Sequence, residues 1–245
     1  MKIKNKLLVS VVLATYNVEK TLERFFDSYE KLHYQNKELI IIDNNSKDST
    51  HNIFKKFRSS IDVLIIESDN GIYDAWNKSI ALCKGDFICF MGADDVFLPY
   101  SINNLLSKFS KKINFISSKT KFLETNFIVG KKYDSKKLIY YQMFCHIGSL
   151  TSAELFKDQE FDSTYRVSGD YEFYLRNKDK IVPAFFDDVN FYSGTGVSSS
   201  FSSFTENYKV WKSLGIHNFI SRKILFLIHV SNFYYNLLMK ALKVK

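Results

Sequence analysis

Several things are scarce in this chain. There are three cysteines, Cys83, Cys89 and Cys145, an odd number without metal-ligand spacing. A disulfide framework and a thiolate metal site are therefore not expected. Cys83 and Cys89 sit in apolar settings and read as small core residues of a protein in a reducing cytosol. No segment offers the roughly 20 apolar residues that a spanning helix needs. The apolar run from Leu7 to Ala14 behind the basic Met1–Lys6 start is too short and too β-like for a signal peptide. There is no Arg-rich arm or basic repeat, which argues against nucleic acid as a partner. Neither Gly-x-Gly-x-x-Gly nor Gly-Lys-Ser/Thr occurs, so nicotinamide-cofactor and P-loop readings lose their main support.

What the chain does have is length, apolar residues and positive charge. Its 245 residues suit one large domain, or one domain with an appendage, and 46% apolar content is ample for a core. Aromatics are abundant, with 23 Phe and 15 Tyr against only two Pro. The formal charge of +8 points to an anionic partner, either a phosphorylated ligand or a membrane surface.

Short apolar runs alternate with helical spacing through the first half. Strands are expected at 7–13, 39–42, 63–66 and 87–91, with helices at 19–29, 49–57 and 72–82 between them. Continuous apolar strands separated by helices indicate a parallel sheet covered on both faces. The polar punctuation falls at the strands' carboxyl ends: Thr15-Tyr16-Asn17, Asp43-Asn44-Asn45, Asp69-Asn70-Gly71 and Asp94-Asp95. That is one edge of the sheet, where ligands of open α/β sheets bind. Beyond Asp95 the pattern predicts a helix at 100–109, strands at 113–117 and 121–129, and helices at 135–141, 152–156 and 169–176. Strands at 184–187 and 190–192 follow, then a flexible loop over 193–200 and a wholly helical tail from Phe204 to Lys245.

The adjacent carboxylates Asp94 and Asp95 follow an apolar run and Gly92-Ala93. Two like charges are poorly placed there for stability, although a solvated turn would also be rich in Asp. They are well placed to hold a divalent cation that shares its shell with substrate phosphates. Asp43, at a strand tip, can accept the imide N–H of a uracil or a base amino group, while Asp48 or Ser49 would cap the next helix. Gly71 at a helix mouth allows close approach of a phosphate. Lys78 could neutralise a diphosphate or simply be a surface lysine. Asp170 in a first helical turn is favoured by the dipole and is also where a carboxylate base could be held.

Eight pieces in order make the chain resemble the family 2 nucleotide-sugar glycosyltransferases. They are Val11–Asn17, Leu39–Thr50, Gly71–Lys78, Lys84–Phe87, Ala93–Asp95, Cys145–His146, Gly169–Glu172 and Gly194–Ser198, covering about residues 5–200. The resemblance implies an α/β, Rossmann-like A-type glycosyltransferase (GT-A) fold with a mostly parallel sheet. It implies a catalytic domain over 1–203, with a nucleotide-binding half at 1–95 and an acceptor half at 96–203. A helical tail at 204–245 would follow. Thr15, Tyr16, Asn17 and Asp43 would line the nucleotide site, with Asn77 and Lys78 on the donor side. Asp94 would contact ribose or sugar, and Asp95 would ligate Mn²⁺ or Mg²⁺. Asp170 would be the general base of a single inverting displacement, with the 194–200 loop closing over the donor. His146 would border donor or acceptor. Trp76 stands where better-studied relatives carry Arg, and Gly169 where an acid often precedes the base.

The expectation is an inverting glycosyltransferase using a UDP-sugar and a lipid-linked surface glycan as acceptor, such as an O-antigen or capsule unit. It would be peripheral on the inner face of the cytoplasmic membrane, through a basic, amphipathic C-terminal helix. That helical stripe could alternatively pack on the catalytic domain or on a second copy of the chain. Two other functions compete: a metal-dependent sugar nucleotidyltransferase, and a non-catalytic nucleotide-sugar or glycan-binding module.

Overall fold

Four apolar strands assemble the first half of the sheet. In the computed structural model, which describes residues 7–194 and 201–243 and the side chains of 7–194 and 202–231, they are β1 (Val9–Thr15), β2 (Lys37–Asp43), β3 (Val63–Ile66) and β4 (Phe87–Met91). Helices α1 (Leu22–Glu30), α2 (Thr50–Lys56) and α3 (Ile72–Ile80) connect them. All pairings here are parallel. Thr15 is level with Asp43, Asp43 with Ile66, and Leu13 with Met91. The chain grows from β1 through β2 to β3, then returns to place β4 on the other side of β1. Such a reversal opens a crevice outside the carboxyl ends of the central strands.

The period of two sends alternate side chains into separate cores. Val9, Val11 and Leu13 pack with Phe25 and Phe26 of α1. Val12, Ile88 and Phe90 face Tyr73 and Trp76 of α3 on the opposite side.

The second half comprises β5 (Val96–Phe97), α4 (Ser101–Ser107), β6 (Phe115–Phe122), β7 (Ile128–Val129), α5 (Ser135–Leu138), β8 (Ser149–Ser152), α6 (Gly169–Arg176) and β9 (Pro183–Ser193). The sheet order is β3-β2-β1-β4-β8-β6-β9-β5, with β7 on β6. The sheet is parallel as far as β4 and mixed beyond it, because β8 runs antiparallel to both β4 and β6.

Five local expectations change. β8, Ser-Leu-Thr-Ser, has too little apolar alternation to announce a strand; it forms because β4 and β6 both offer it hydrogen bonds. The expected 152–156 helix is a 3-10 turn at Ala153–Phe156. The 121–129 strand is instead the end of β6 and the short β7, separated by a turn with Asn126 at φ 55°. The two strands at 184–187 and 190–192 are one strand, β9, whose register slips opposite Ser118–Thr120. The tail is two helices, α7 (Phe201–Ser213) and α8 (Phe219–Lys243), broken where Gly215 and His217 take positive φ.

α7 is built into the second core. Val210 and Trp211 are fully buried there, and the Trp211 indole N–H donates to the Tyr171 hydroxyl at 3.0 Å. The 203/204 boundary therefore falls inside one packed unit. α8 is different, for Phe219, Ile220, Ile224, Leu227 and Ile228 stand exposed. Among the described residues no helix is long and apolar enough to cross a membrane.

Candidate active site

β4 delivers the chain to the crevice, and Gly92 lets it turn. A Cβ at Gly92 would lie 2.7 Å from Asp95 Oδ2, and one at Gly194 would overlap the Asp94 carboxylate. The end of β9 thus closes against the diacid in a way only glycine permits. Asp95 is 1% exposed. Its Oδ2 accepts the Gly92 N–H at 2.6 Å, while its Oδ1 has no hydrogen-bond partner among the described residues. Burial, and then the neighbouring Asp94, push the Asp95 carboxyl up to about 7. An orphaned buried carboxylate oxygen costs on the order of 1–3 kcal/mol or more, which is explained if a cation takes it. Among the described residues no third His, Cys, Asp or Glu completes a cage with these two. An open donor set of this kind fits Mg²⁺ or Mn²⁺, which keep water and substrate phosphate as remaining ligands.

At the ends of β1 and β2 the polar residues bind one another. Asp43 is fully buried. Its Oδ1 accepts from the Thr15 hydroxyl at 2.8 Å and the Ser46 hydroxyl at 2.6 Å; its Oδ2 accepts from the Ser46 N–H and His51 Nε2, both at 2.8 Å. Asp43 and Thr15 form the floor of this end of the crevice. Asn17, at φ 51°, donates its N–H to Ser46 Oγ and accepts the Lys47 N–H. Tyr16, 58% exposed, projects outward. An open hollow of about 660 Å³ lies beside them, lined by Asn17–Thr21, Lys47 and Asp48. Ser46 and His51 were not expected here. His51 stands in the first turn of α2, directly after the Leu39–Thr50 piece, and only the fold brings it back to Asp43.

α3 starts at Gly71, φ 118°. Asn77 uses its whole amide on Phe161, donating to its carbonyl at 2.9 Å and accepting its N–H at 3.0 Å. Lys78 pairs with Glu67 at 2.9 Å and donates to the Ser68 carbonyl at 2.8 Å. Both side chains are therefore engaged by protein partners. Trp76 packs edge-to-plane on Tyr73 and tilted against Phe90, Phe161 and His146, and its indole N–H has no partner among the described residues.

His146 is 6% exposed, 4.7 Å from Trp76 between ring centres. Its Nδ1 meets the Tyr174 hydroxyl at 3.2 Å, and its Nε2 has no partner among the described residues. Burial holds this imidazole down to about 4, so it is neutral at physiological pH. Beside it, the Cys145 thiol is pushed up to about 12 by burial, with Asp95 and Asp170 adding to the shift. The charges of both acids thus reach one point in the fold, although 75 residues separate them.

Asp170 lies in the first turn of α6. The Tyr73 hydroxyl, whose single proton is shared with the Val167 carbonyl at 2.7 Å, reaches its Oδ1 at 3.1 Å, and Gln142 Nε2 donates to its Oδ2 at 2.7 Å. The missing acid before it has a steric cause. A Cβ at Gly169 would sit 2.8 Å from the Tyr73 ring. Tyr73 occupies the space a side chain at 169 would need and supplies a hydroxyl to Asp170 instead. Neither Tyr73 nor Gln142 carried a signal in the sequence, since a helix-face tyrosine and a loop glutamine are common everywhere.

Comparison with known proteins agrees with this fold. Over 148 residues the chain is 32% identical to the Escherichia coli UDP-Glc:alpha-D-GlcNAc-diphosphoundecaprenol beta-1,3-glucosyltransferase WfgD, covering 59% of this chain and 58% of that protein. Over 220 residues it is 24% identical to WfaP of E. coli, which bears the same enzyme description, covering 85% and 87%. The fold matches S. aureus TarS 1-349 in complex with UDP-GlcNAc at a TM-score of 0.73, with 17% identity over 90% of this chain and 70% of that one. It also matches Mycobacterium tuberculosis glucosyl-3-phosphoglycerate synthase, solved with Mn²⁺, UDP and phosphoglyceric acid, at 0.64 with 18% identity, covering 88% and 81%. Residues 10–180 match the family described as Glycosyl transferase family 2, and the chain belongs to that family.

Proposed function

We propose that this glycosyltransferase moves a sugar from a UDP donor to a hydroxyl of a lipid-linked glycan, with inversion at the anomeric carbon. The observation that carries this reading is the diacid at the end of β4, with one buried Asp95 oxygen left without a partner among the described residues, together with the separately held carboxylate of Asp170 on α6. The donor and acceptor classes follow the printed activities of WfgD and WfaP, whose acceptor is a diphosphoundecaprenol-linked sugar.

In this reading Asp95, with Asp94 beside it, holds Mn²⁺ or Mg²⁺, which would neutralise the leaving diphosphate when bound. Thr15, Tyr16, Asn17 and Asp43 form the nucleotide end. Asp43 acts through the groups it holds, because its lone pairs are already engaged. His146 and Trp76, each with a buried unpartnered ring nitrogen, border the transferred sugar. Asp170 takes the proton of the attacking hydroxyl. Tyr73 and Gln142 fix the plane of its carboxylate and leave a lone pair on each oxygen for the acceptor.

The protein works at the membrane surface, with α8 as the contact. Residues 207–245 carry seven basic side chains and no acid, so seven of the eight net positive charges lie there. The exposed Phe219, Ile220, Ile224, Leu227 and Ile228 supply apolar area next to Arg222 and Lys223. Residues 195–200, expected to close over the donor, lie outside the described residues.

Titration calorimetry of UDP, with and without Mn²⁺, tests the donor site. Asp95→Asn should abolish the Mn²⁺-dependent part of binding. Equal UDP affinity in the variant and the parent, both with Mn²⁺, would remove Asp95 from the metal site.

A further inference from the structure

Glu206 lies on α7, outside every motif that marks the family, yet its carboxylate is 7% exposed and fully engaged. Its Oε1 accepts the Arg166 N–H at 2.8 Å; its Oε2 accepts the Val167 and Ser168 N–H groups, both at 2.8 Å. Three consecutive backbone donors thus converge on one side chain from a distant helix. They are the residues just before α6, whose N-cap, Ser168, makes no side-chain capping bond of its own. A carboxylate at that place satisfies orphan N–H groups and suits the positive end of the helix.

The clasped segment is also the segment that positions the base. The Val167 carbonyl accepts the Tyr73 hydroxyl at 2.7 Å, and the same hydroxyl reaches Asp170 Oδ1 at 3.1 Å. Arg166 Nη1 donates to the Asn70 carbonyl at 2.6 Å and packs against Gly71, at the start of the helix that carries Tyr73. Glu206 therefore closes a ring running from α7 through 166–168 to α3 and Asp170. Trp211, one and a half turns further along α7, anchors the same helix to Tyr171 of α6.

We propose that Glu206 is a positioning residue for catalysis: it fixes the 166–168 backbone and through it the placement of Asp170. This rests on the reading of Asp170 as the base. It makes α7 a working part of the acceptor site.

The test compares Glu206→Gln, Glu206→Ala and Asp170→Asn with the parent. Three quantities are read: UDP affinity with Mn²⁺ by calorimetry, release of UDP from UDP-glucose with Mn²⁺, and the Asp170 carboxyl titration by ¹³C NMR, assigned from Asp170→Asn. Glu206→Gln keeps the shape but replaces one of the two accepting oxygens with an amide NH2, which then faces at least one of the three backbone N–H groups. It should slow turnover by up to about 10²-fold, as misplacement of a reacting group does. UDP affinity should stay within about twofold, and the Asp170 titration should move. Formate should restore turnover to Glu206→Ala by filling the vacated carboxylate position. Should Glu206→Gln fold poorly, Glu206→Ala with and without formate carries the comparison. Parent-like turnover and an unmoved Asp170 titration in the Glu206 variants, with Asp170→Asn slow, would overturn the clasp and leave the base reading standing. Parent-like turnover in Asp170→Asn would instead remove the base assignment, and the positioning role with it. If no variant or parent turns over UDP-glucose, the NMR titration decides alone: an unmoved Asp170 sinks the proposal.

Discussion

Asp95 and His146 are buried with opposite consequences for proton binding. Between its unfolded value near 3.9 and about 7, Asp95 holds a proton in the folded protein that the unfolded chain releases. Its contribution to stability is thus present at low pH and lost as pH rises through about 7. His146 works the other way. Between about 4 and its unfolded value near 6.5, the unfolded chain takes a proton that the folded ring refuses, so stability is lost as pH falls. The two effects offset each other over the same window. In EDTA, Asp95→Asn is expected to show stability rising with pH from about 4 to 6.5, and His146→Gln stability falling from about 4 to 7. Denaturant melts at several pH values check both slopes. Because Asp95 must be ionised to bind a cation, Mn²⁺ affinity should weaken below about pH 7 and release a proton on binding. Asn77→Ala removes two hydrogen bonds to Phe161 and should cost about 1–3 kcal/mol of stability. UDP affinity should be unchanged; a marked loss there would place Asn77 at the donor after all.

The elements of the first half were legible because burial on both faces leaves continuous apolar strands, each bounded by polar strand ends. The strands of the second half were not. β8 owes its existence to two neighbours rather than to its own Ser-Leu-Thr-Ser, and β9 reads as two strands because Asp188 falls between the 184–187 and 190–192 stretches, at the register slip. The helical periodicity of the tail was read correctly, but not its division between an inward and an outward helix. Trp211→Ala should cost about 3–5 kcal/mol, as for a large aromatic removed from a packed core. Ending the chain at Gly215 should leave cooperative unfolding and UDP binding intact, since Glu206, Val210 and Trp211 remain. Thermal melts of the two variants separate these outcomes. A chain ending at Gly215 that no longer folds would show that α8 is core rather than surface.

At the scale of the whole molecule, the charge is distributed so that one end can meet an anionic surface. Full-length protein should co-sediment with phosphatidylglycerol-containing vesicles at low salt and release at high salt, each basic residue near the surface adding on the order of 1 kcal/mol. The chain ending at Gly215 should not bind. Indifference of the full-length protein to those vesicles at low salt would leave α8 as a packing or self-association surface. The sequence by itself determined the sheet-with-helices class, the edge at which polar residues gather and the diacid there, because apolar periodicity and strand-end polarity are local properties. Only the tertiary structure decided that Asp43 is a buried floor bound by Ser46 and His51, that Tyr73 fills the space beside Gly169, and that Glu206 holds the 166–168 backbone just ahead of Asp170. The Tyr73 and Glu206 contacts join segments tens of residues apart, the Asp43 contacts need the turn from β2 into α2, and burial, not composition, determines which polar groups must find one another.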